Sequence, residues 1–261
     1  MSRVAGKIAI VTGAGSSGPG VGTGKAISIL LAREGARVCL VDRVVERAEE
    51  TLRLVTAEGG EAFAIDADVT DSGSCERVVG ATVERFGPPN VLVNNVAARG
   101  QQIPIHLLDE AVWDEALAVN LKSAMLMCKF VLPHMMENGG GAIVNISSAA
   151  GMVSYGVPAY GAAKAGMLSL TRDLASMYAE HGIRANAICP GNIHTPMVGQ
   201  TMKPEVRERR RLATPLGEGD SWDVGWTAVF LASDEADFIT GQNIPVDGGV
   251  SSASRYNSAM W

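Results

Sequence analysis

Lys7-Ile8-Ala9-Ile10-Val11-Thr12-Gly13-Ala14-Gly15-Ser16-Ser17-Gly18, with Gly20, Gly22 and Gly24 close behind, is the stretch that decides the fold. An apolar β-rich run stops on glycines. From Lys25 to Glu34, Ile27, Leu30 and Leu31 then recur at helical spacing until Gly35, which predicts strand, loop and helix in turn. The loop matches G-x-G-x-x-G directly after a strand. Glycines let the backbone turn tightly and approach a pyrophosphate, whose charge meets N–H groups and the positive end of the helix dipole. Six of the chain's 30 glycines lie between Gly13 and Gly24. Gly13, Gly15, Ser17, Gly22 and Thr23 are the candidate phosphate contacts.

Outward from this unit the rhythm repeats. Strands are expected at Arg37 to Val41, Ala62 to Ile65, Val91 to Val93, Ala142 to Ile146, Arg184 to Cys189 and Asn243 to Val246. Helices are expected at Glu46 to Glu58, Ser72 to Phe86, one long stretch between Asp109 and Met136, Ala159 to His181, and Val224 to Ala232. Near-continuous apolar strands alternating with helices predict an α/β fold, a Rossmann-like doubly wound parallel sheet of about seven strands with helices on both faces. No linker divides the chain, so residues 1–261 are read as a single domain. In such sheets ligands bind beyond the carboxyl ends of the strands. Asp42 closes the second strand, where a carboxylate accepts hydrogen bonds from ribose hydroxyls and repels a 2′-phosphate; the expected cofactor is NAD.

Composition excludes several classes. With 22 basic and 28 acidic side chains the net charge is −6, so a nucleic-acid partner is not expected. Cysteines 39, 75, 128 and 189 are scattered without C-x-x-C spacing, which fits buried thiols in a reducing cytoplasm and disfavours a metal site. No apolar stretch approaches the ~20 residues of a membrane span, so no membrane partner is expected.

Thr12-Gly13 with the glycine loop, Asp68-Val69, Asn94-Asn95, Asn120, Ser148, Tyr160-x-x-x-Lys164 and Pro190-Gly191-x-x-x-Thr195 form an ordered set. The set resembles the short-chain dehydrogenase/reductase family in its small single-domain form, over essentially the whole chain. Two departures stand out: the glycine loop is several residues longer than usual, and the usual N-N-A-G reads Asn94-Asn95-Val96-Ala97. The resemblance implies hydride transfer between NAD(H) and an alcohol or ketone, and a homotetramer. It implies that Asn120, Ser148, Tyr160 and Lys164 are catalytic, with Asn120 anchoring a water that relays protons from Lys164. It also implies that Asp68 and Val69 hold the adenine edge, Asn94 lies along the adenosine ribose, and Ile193 and Thr195 meet the nicotinamide carboxamide and the phosphates. The chemistry of the residues agrees. Tyr160 and Lys164, four apart, share a helix face, and an ammonium beside a phenol favours the phenolate, so that Tyr160 can take an alcohol proton.

The substrate end is read from the loops after Pro190-Gly191 and before Tyr160. Met152, Tyr155, His194 and Met197 are the candidate pocket residues, and residues 192–220 the covering segment. The mix is largely apolar and suits a medium-sized, partly hydrophobic secondary alcohol or ketone. A sugar, a polyol or a 3-hydroxyacyl-type substrate stands as the alternative, and a non-catalytic NAD-binding sensor as a further one. Arg207, Arg209, Arg210 and Arg211, interleaved with Glu205 and Glu208, read as an exposed helix rather than an anion site. The tail 251–261 ends in Ala-Met-Trp, which suggests docking on a neighbouring subunit or over a pocket.

Overall fold

In the computed structural model, residues 2–199 and 202–252 are described. Seven strands form one parallel sheet: β1 (Ile8–Thr12), β2 (Arg37–Asp42), β3 (Ala62–Asp66), β4 (Val91–Asn94), β5 (Gly141–Ile146), β6 (Ile183–Pro190) and, last in the chain, Asn243–Val246. The spatial order, with that last strand as β9, is β3-β2-β1-β4-β5-β6-β9. The order reverses direction between β1 and β4. That switch point leaves a crevice at the carboxyl ends of the strands.

The alternation of side chains explains why the strands are apolar on both faces. Ala9 and Val11 of β1, Val38 and Leu40 of β2, and Val91 and Val93 of β4 enter one core, shared with α1 (Thr23–Arg33), α2 (Val45–Ala57) and Ser221–Ala232, the last helix, α9. Ile10, Cys39 and Leu92 enter the other, shared with α3 (Ser72–Phe86), Ser123–Glu137 (α5) and Pro158–Met177 (α6). Helix starts are set by side chains. The Asp71 carboxylate accepts from Ser74 N at 2.7 Å ahead of α3, and Asp220 accepts from Trp222 N at 2.7 Å ahead of α9. Each such cap contributes about 1 kcal/mol.

Two features depart from the sequence expectations. The stretch expected as one helix is α4 (Glu110–Leu117), a π turn at Ala118–Lys122, and α5. A π turn keeps the chain helical while it accommodates an extra residue, so composition does not separate the two halves. This run, Glu110–Glu137, is the one helical stretch among the described residues with the length and composition of a membrane span, and half of its apolar window is buried inside the protein. The covering segment is more regular than expected, with β7 (Ile193–His194) paired to β8 (Gly219–Asp220), and α7 (Pro196–Gly199) and α8 (Pro204–Leu212) between them. The tail expected to dock through Trp261 lies, from residue 253 on, outside the described residues.

Candidate active site

The floor of the site is built where β1 ends. Gly13 has φ +64°, a left-handed conformation that suits glycine. The Asn95 side chain donates to the carbonyls of Thr12 (3.1 Å) and Gly13 (3.0 Å), and its backbone N–H donates to Thr12 Oγ1 (3.0 Å), so β4 is stitched to the glycine loop. The first turn of α1 presses onto the same loop. A Cβ placed on Gly24 would collide with the Gly13 carbonyl oxygen. Asp42 fixes the other wall, accepting Gly15 N–H at 3.1 Å on one oxygen and Val44 N–H at 3.0 Å on the other. Gly22 caps α1 with no side-chain hydrogen bond, and the helix N-terminus opens into the crevice.

The extra residues of the long loop are tied down rather than free. Ser16 Oγ accepts Gly22 N–H (2.7 Å), Ser221 Oγ donates to the Val21 carbonyl (2.8 Å), and Lys25 Nζ donates to the Gly20 carbonyl (3.4 Å) and Glu50 (2.8 Å). Lys25 is buried to 1% exposure. The sequence does not mark it, because a lone lysine in the first turn of a helix usually faces solvent.

The crevice is a cavity of about 600 Å³ that runs from Asp42 to Tyr160. Of the residues expected at the cofactor, Gly13, Gly15, Ser17, Gly22 and Thr23 line it at the loop end; Asp42, Asp68 and Val69 line it beyond β2 and β3. Ile193 and Thr195 lie on its far wall with Met197. Asn94 does not reach it. Its side chain lies beneath, buried, donating to Asn145 Oδ1 at 2.9 Å, and Asn145 in turn donates to Thr171 Oγ1 at 2.9 Å. Asn95 faces the cavity in its place, as strand alternation requires of adjacent residues.

Ser148, Tyr160 and Lys164 meet at the other end of the cavity. Ser148 follows β5, accepts Ala150 N–H at 3.1 Å, and is hydrogen-bonded to the Tyr160 hydroxyl. Its neighbour Ser147 turns the opposite way and donates to the Lys164 carbonyl at 2.9 Å. Lys164 is fully buried. Its Nζ donates to the Ile146 carbonyl at 2.8 Å and stands 5.7 Å from the centre of the Tyr160 ring. Burial pushes the Tyr160 phenol above its ordinary value, while the Ser148 hydrogen bond opposes that rise. Burial pushes the Lys164 ammonium down to about 7. The pair is therefore poised differently from a permanent cation beside a phenol. Above about 7 and below the phenol's raised value, the lysine is neutral while the phenol keeps its proton.

Asn120 sits in the π turn against α6, fully buried; its side-chain oxygen accepts Ala98 N–H (3.1 Å) and its amide donates to the Ala116 carbonyl (3.0 Å). It lies outside the lining of the cavity. Met152 and Tyr155 line a second, more open cavity with the 102–105 segment. His194 lines neither, and its Nδ1 faces Glu218 at 3.8 Å. Three arginines line the main cavity, Arg43 and Arg47 near Asp42 and Arg210 near Met197.

Known proteins share this fold. Residues 19–251 match a family model described as enoyl-(acyl carrier protein) reductase. The match begins inside the long glycine loop. A solved chain from Burkholderia xenovorans, described provisionally as a short-chain dehydrogenase/reductase, superposes with TM-score 0.93 at 46% identity, covering 97% of this chain and 100% of that one. A 7α-hydroxysteroid dehydrogenase solved with NADH and 7-oxo glycochenodeoxycholic acid superposes with TM-score 0.89 at 32% identity, covering 95% of each chain. The 2-(R)-hydroxypropyl-CoM dehydrogenase of Xanthobacter autotrophicus is 38% identical over 248 residues, 93% of this chain and 97% of its own length.

Proposed function

Because the chain belongs to the short-chain dehydrogenase/reductase family, and so to its oxidoreductases, we propose that it interconverts a secondary alcohol and a ketone with NAD(H). The observation that carries this reading is the meeting of Ser148, Tyr160 and Lys164 in the same cavity as the glycine loop and Asp42. The residues fit a dinucleotide. An uncapped helix N-terminus suits a diphosphate, and the Asp42 carboxylate, held by two backbone N–H groups, suits ribose hydroxyls and disfavours a 2′-phosphate. When bound, a nicotinamide supplies the hydride acceptor or donor.

The side chains handle the proton. Ser148 Oγ holds the substrate oxygen, and the Tyr160 hydroxyl, bonded to Ser148, gives or takes the proton there. Lys164, with its Nζ 5.7 Å from the centre of the Tyr160 ring, is placed to balance negative charge on Tyr160 as the proton moves. Asn120 serves as a positioning residue that holds the chain after β4 against α4. Met197 supports a partly apolar substrate. Exposed Trp226, Phe238 and Leu216 support self-association, for which the homotetramer is the form proposed, and four free buried thiols support a cytoplasmic setting.

The test is a panel of aromatic, alicyclic and sugar alcohols with NAD⁺, read as NADH formation. A preference for partly hydrophobic secondary alcohols is expected. Tyr160→Phe abolishes turnover and keeps NADH binding; turnover at the wild-type rate in that variant sinks the mechanism, and a preference for sugars sinks the substrate class.

A further inference from the structure

Helix α8 carries four guanidinium groups, and they do not behave alike. Arg207 is bonded to Glu218, with Nε to Oε2 at 2.8 Å, and Arg211 is bonded to Glu208 at 2.8 and 2.7 Å. Arg209 is exposed. Arg210 turns inward, half-buried, and lines the cavity that holds Ser148 and Tyr160. Its backbone is fixed, since the Arg210 carbonyl accepts from Thr214 Oγ1 (3.0 Å) and from Asn192 Nδ2 (3.3 Å), both buried side chains. Yet its Nε is buried with no hydrogen-bond partner among the described residues. The Tyr155 hydroxyl is buried without a partner as well.

These groups converge. Burial raises the Tyr155 phenol, as does Asp247, while the Arg210 charge lowers it; burial lowers the Arg210 guanidinium, Glu218 and Tyr155 oppose that fall, and Arg99 adds to it. Two cations drawn together, with buried donors left unpaired, cost free energy that an anion would relieve. The nearby carboxylates are engaged elsewhere. Glu218 is held by Arg207, and Asp247 accepts the N–H groups of Gly249 (2.8 Å) and Ser251 (2.9 Å). The cofactor diphosphate belongs to the Gly13–Gly24 end, whereas Arg210 is grouped with Tyr155, just ahead of α6, and Arg99, just after β4.

We infer that this end of the cavity is a carboxylate subsite, so that the substrate is an oxo or hydroxy acid, with Arg210 as the cation that recognises it. A planar guanidinium matches a carboxylate in a fork geometry that an ester lacks the charge to exploit. The inference rests on the alcohol/ketone reading and narrows it.

The experiment compares NADH-dependent reduction of acetoacetate, 4-oxopentanoate and 5-oxohexanoate with that of their methyl esters by the full chain. The acid of at least one pair is expected to exceed its ester by about tenfold or more in kcat/KM, the size of a charge-assisted hydrogen bond. Arg210→Met collapses that ratio, Arg210→Lys restores part of it, and Arg209→Met leaves it intact. Calorimetric titration of the NADH-loaded protein with 3-methylbutanoate and its methyl ester reads the subsite without turnover. If the acid binds through Arg210 while no ketone is reduced, the subsite stands and the alcohol/ketone reading falls. The subsite is overturned if esters match the acids, if neither acid nor ester is reduced or bound, or if Arg210→Met raises the KM for NADH and spares the ratio.

Discussion

Replacing Lys164 by methionine should make the cofactor-free protein more stable, by an amount that shrinks as pH rises. The Lys164 ammonium titrates at about 7 in the fold against 10.5 when exposed. The unfolded chain therefore binds a proton between those values that the fold does not, and stability climbs with pH across that window. The cost of the buried lysine is complete below about 7 and vanishes towards 10.5. At 1.36 kcal/mol for each tenfold change in proton affinity, the cost is about 4.6 kcal/mol at pH 6.5 and about 2.7 kcal/mol at pH 8.5. Methionine also strands the Ile146 carbonyl that Lys164 now satisfies, which offsets about 1–3 kcal/mol of the gain equally at both pH values. Urea unfolding of wild type and Lys164→Met at the two pH values reads the lysine against a common background, because the raised thiols of Cys39, Cys75 and Cys128 are the same in both proteins. The advantage of the variant should fall by about 2 kcal/mol between pH 6.5 and 8.5. A pH-independent difference would refute the reasoning, and so would a variant less stable than wild type at pH 6.5 by several kcal/mol.

Other outcomes follow from single contacts. Gly24→Ala, whose Cβ would meet the Gly13 carbonyl oxygen, should destabilise by about 2 kcal/mol or more and weaken NADH binding, measured by denaturant melts and fluorescence titration. Gly80→Ala, exposed on α3 with open space around its Cβ, should instead stabilise by about 0.5–1 kcal/mol in the same melts. Asp42→Ala should lower kcat/KM for NADH by about tenfold or more while NADPH improves beside Arg43 and Arg47; steady-state kinetics with both cofactors check this, and an unchanged ratio counts against Asp42 as the selecting group.

The sheet was legible because parallel strands buried on both faces cannot avoid being apolar, as Ile10 between Ala9 and Val11 illustrates, and because each strand stops at a polar or glycine residue. The catalytic end was legible through spacing, since Tyr160 and Lys164 four apart must share a helix face. What failed to show had no such period. Asn94 and Asn95 are chemically identical, and only the phase of β4 decides which one meets the crevice. Arg210 sits among three other arginines on a helix that buries no residue fully, so no apolar stripe marks which guanidinium turns inward. The π turn at Asn120 carries no periodicity of its own, and its consequence is positional.

One residue is worth about 100° around a helix axis, and the turn at Ala118–Lys122 inserts that angle between α4, which packs on α6, and α5, whose Met127 and Met135 are wholly buried against the sheet. The two halves are thus phased like a screw with a deliberate slip in its thread. A residue added or removed within this stretch would turn one half's buried face towards solvent, whatever its side chain.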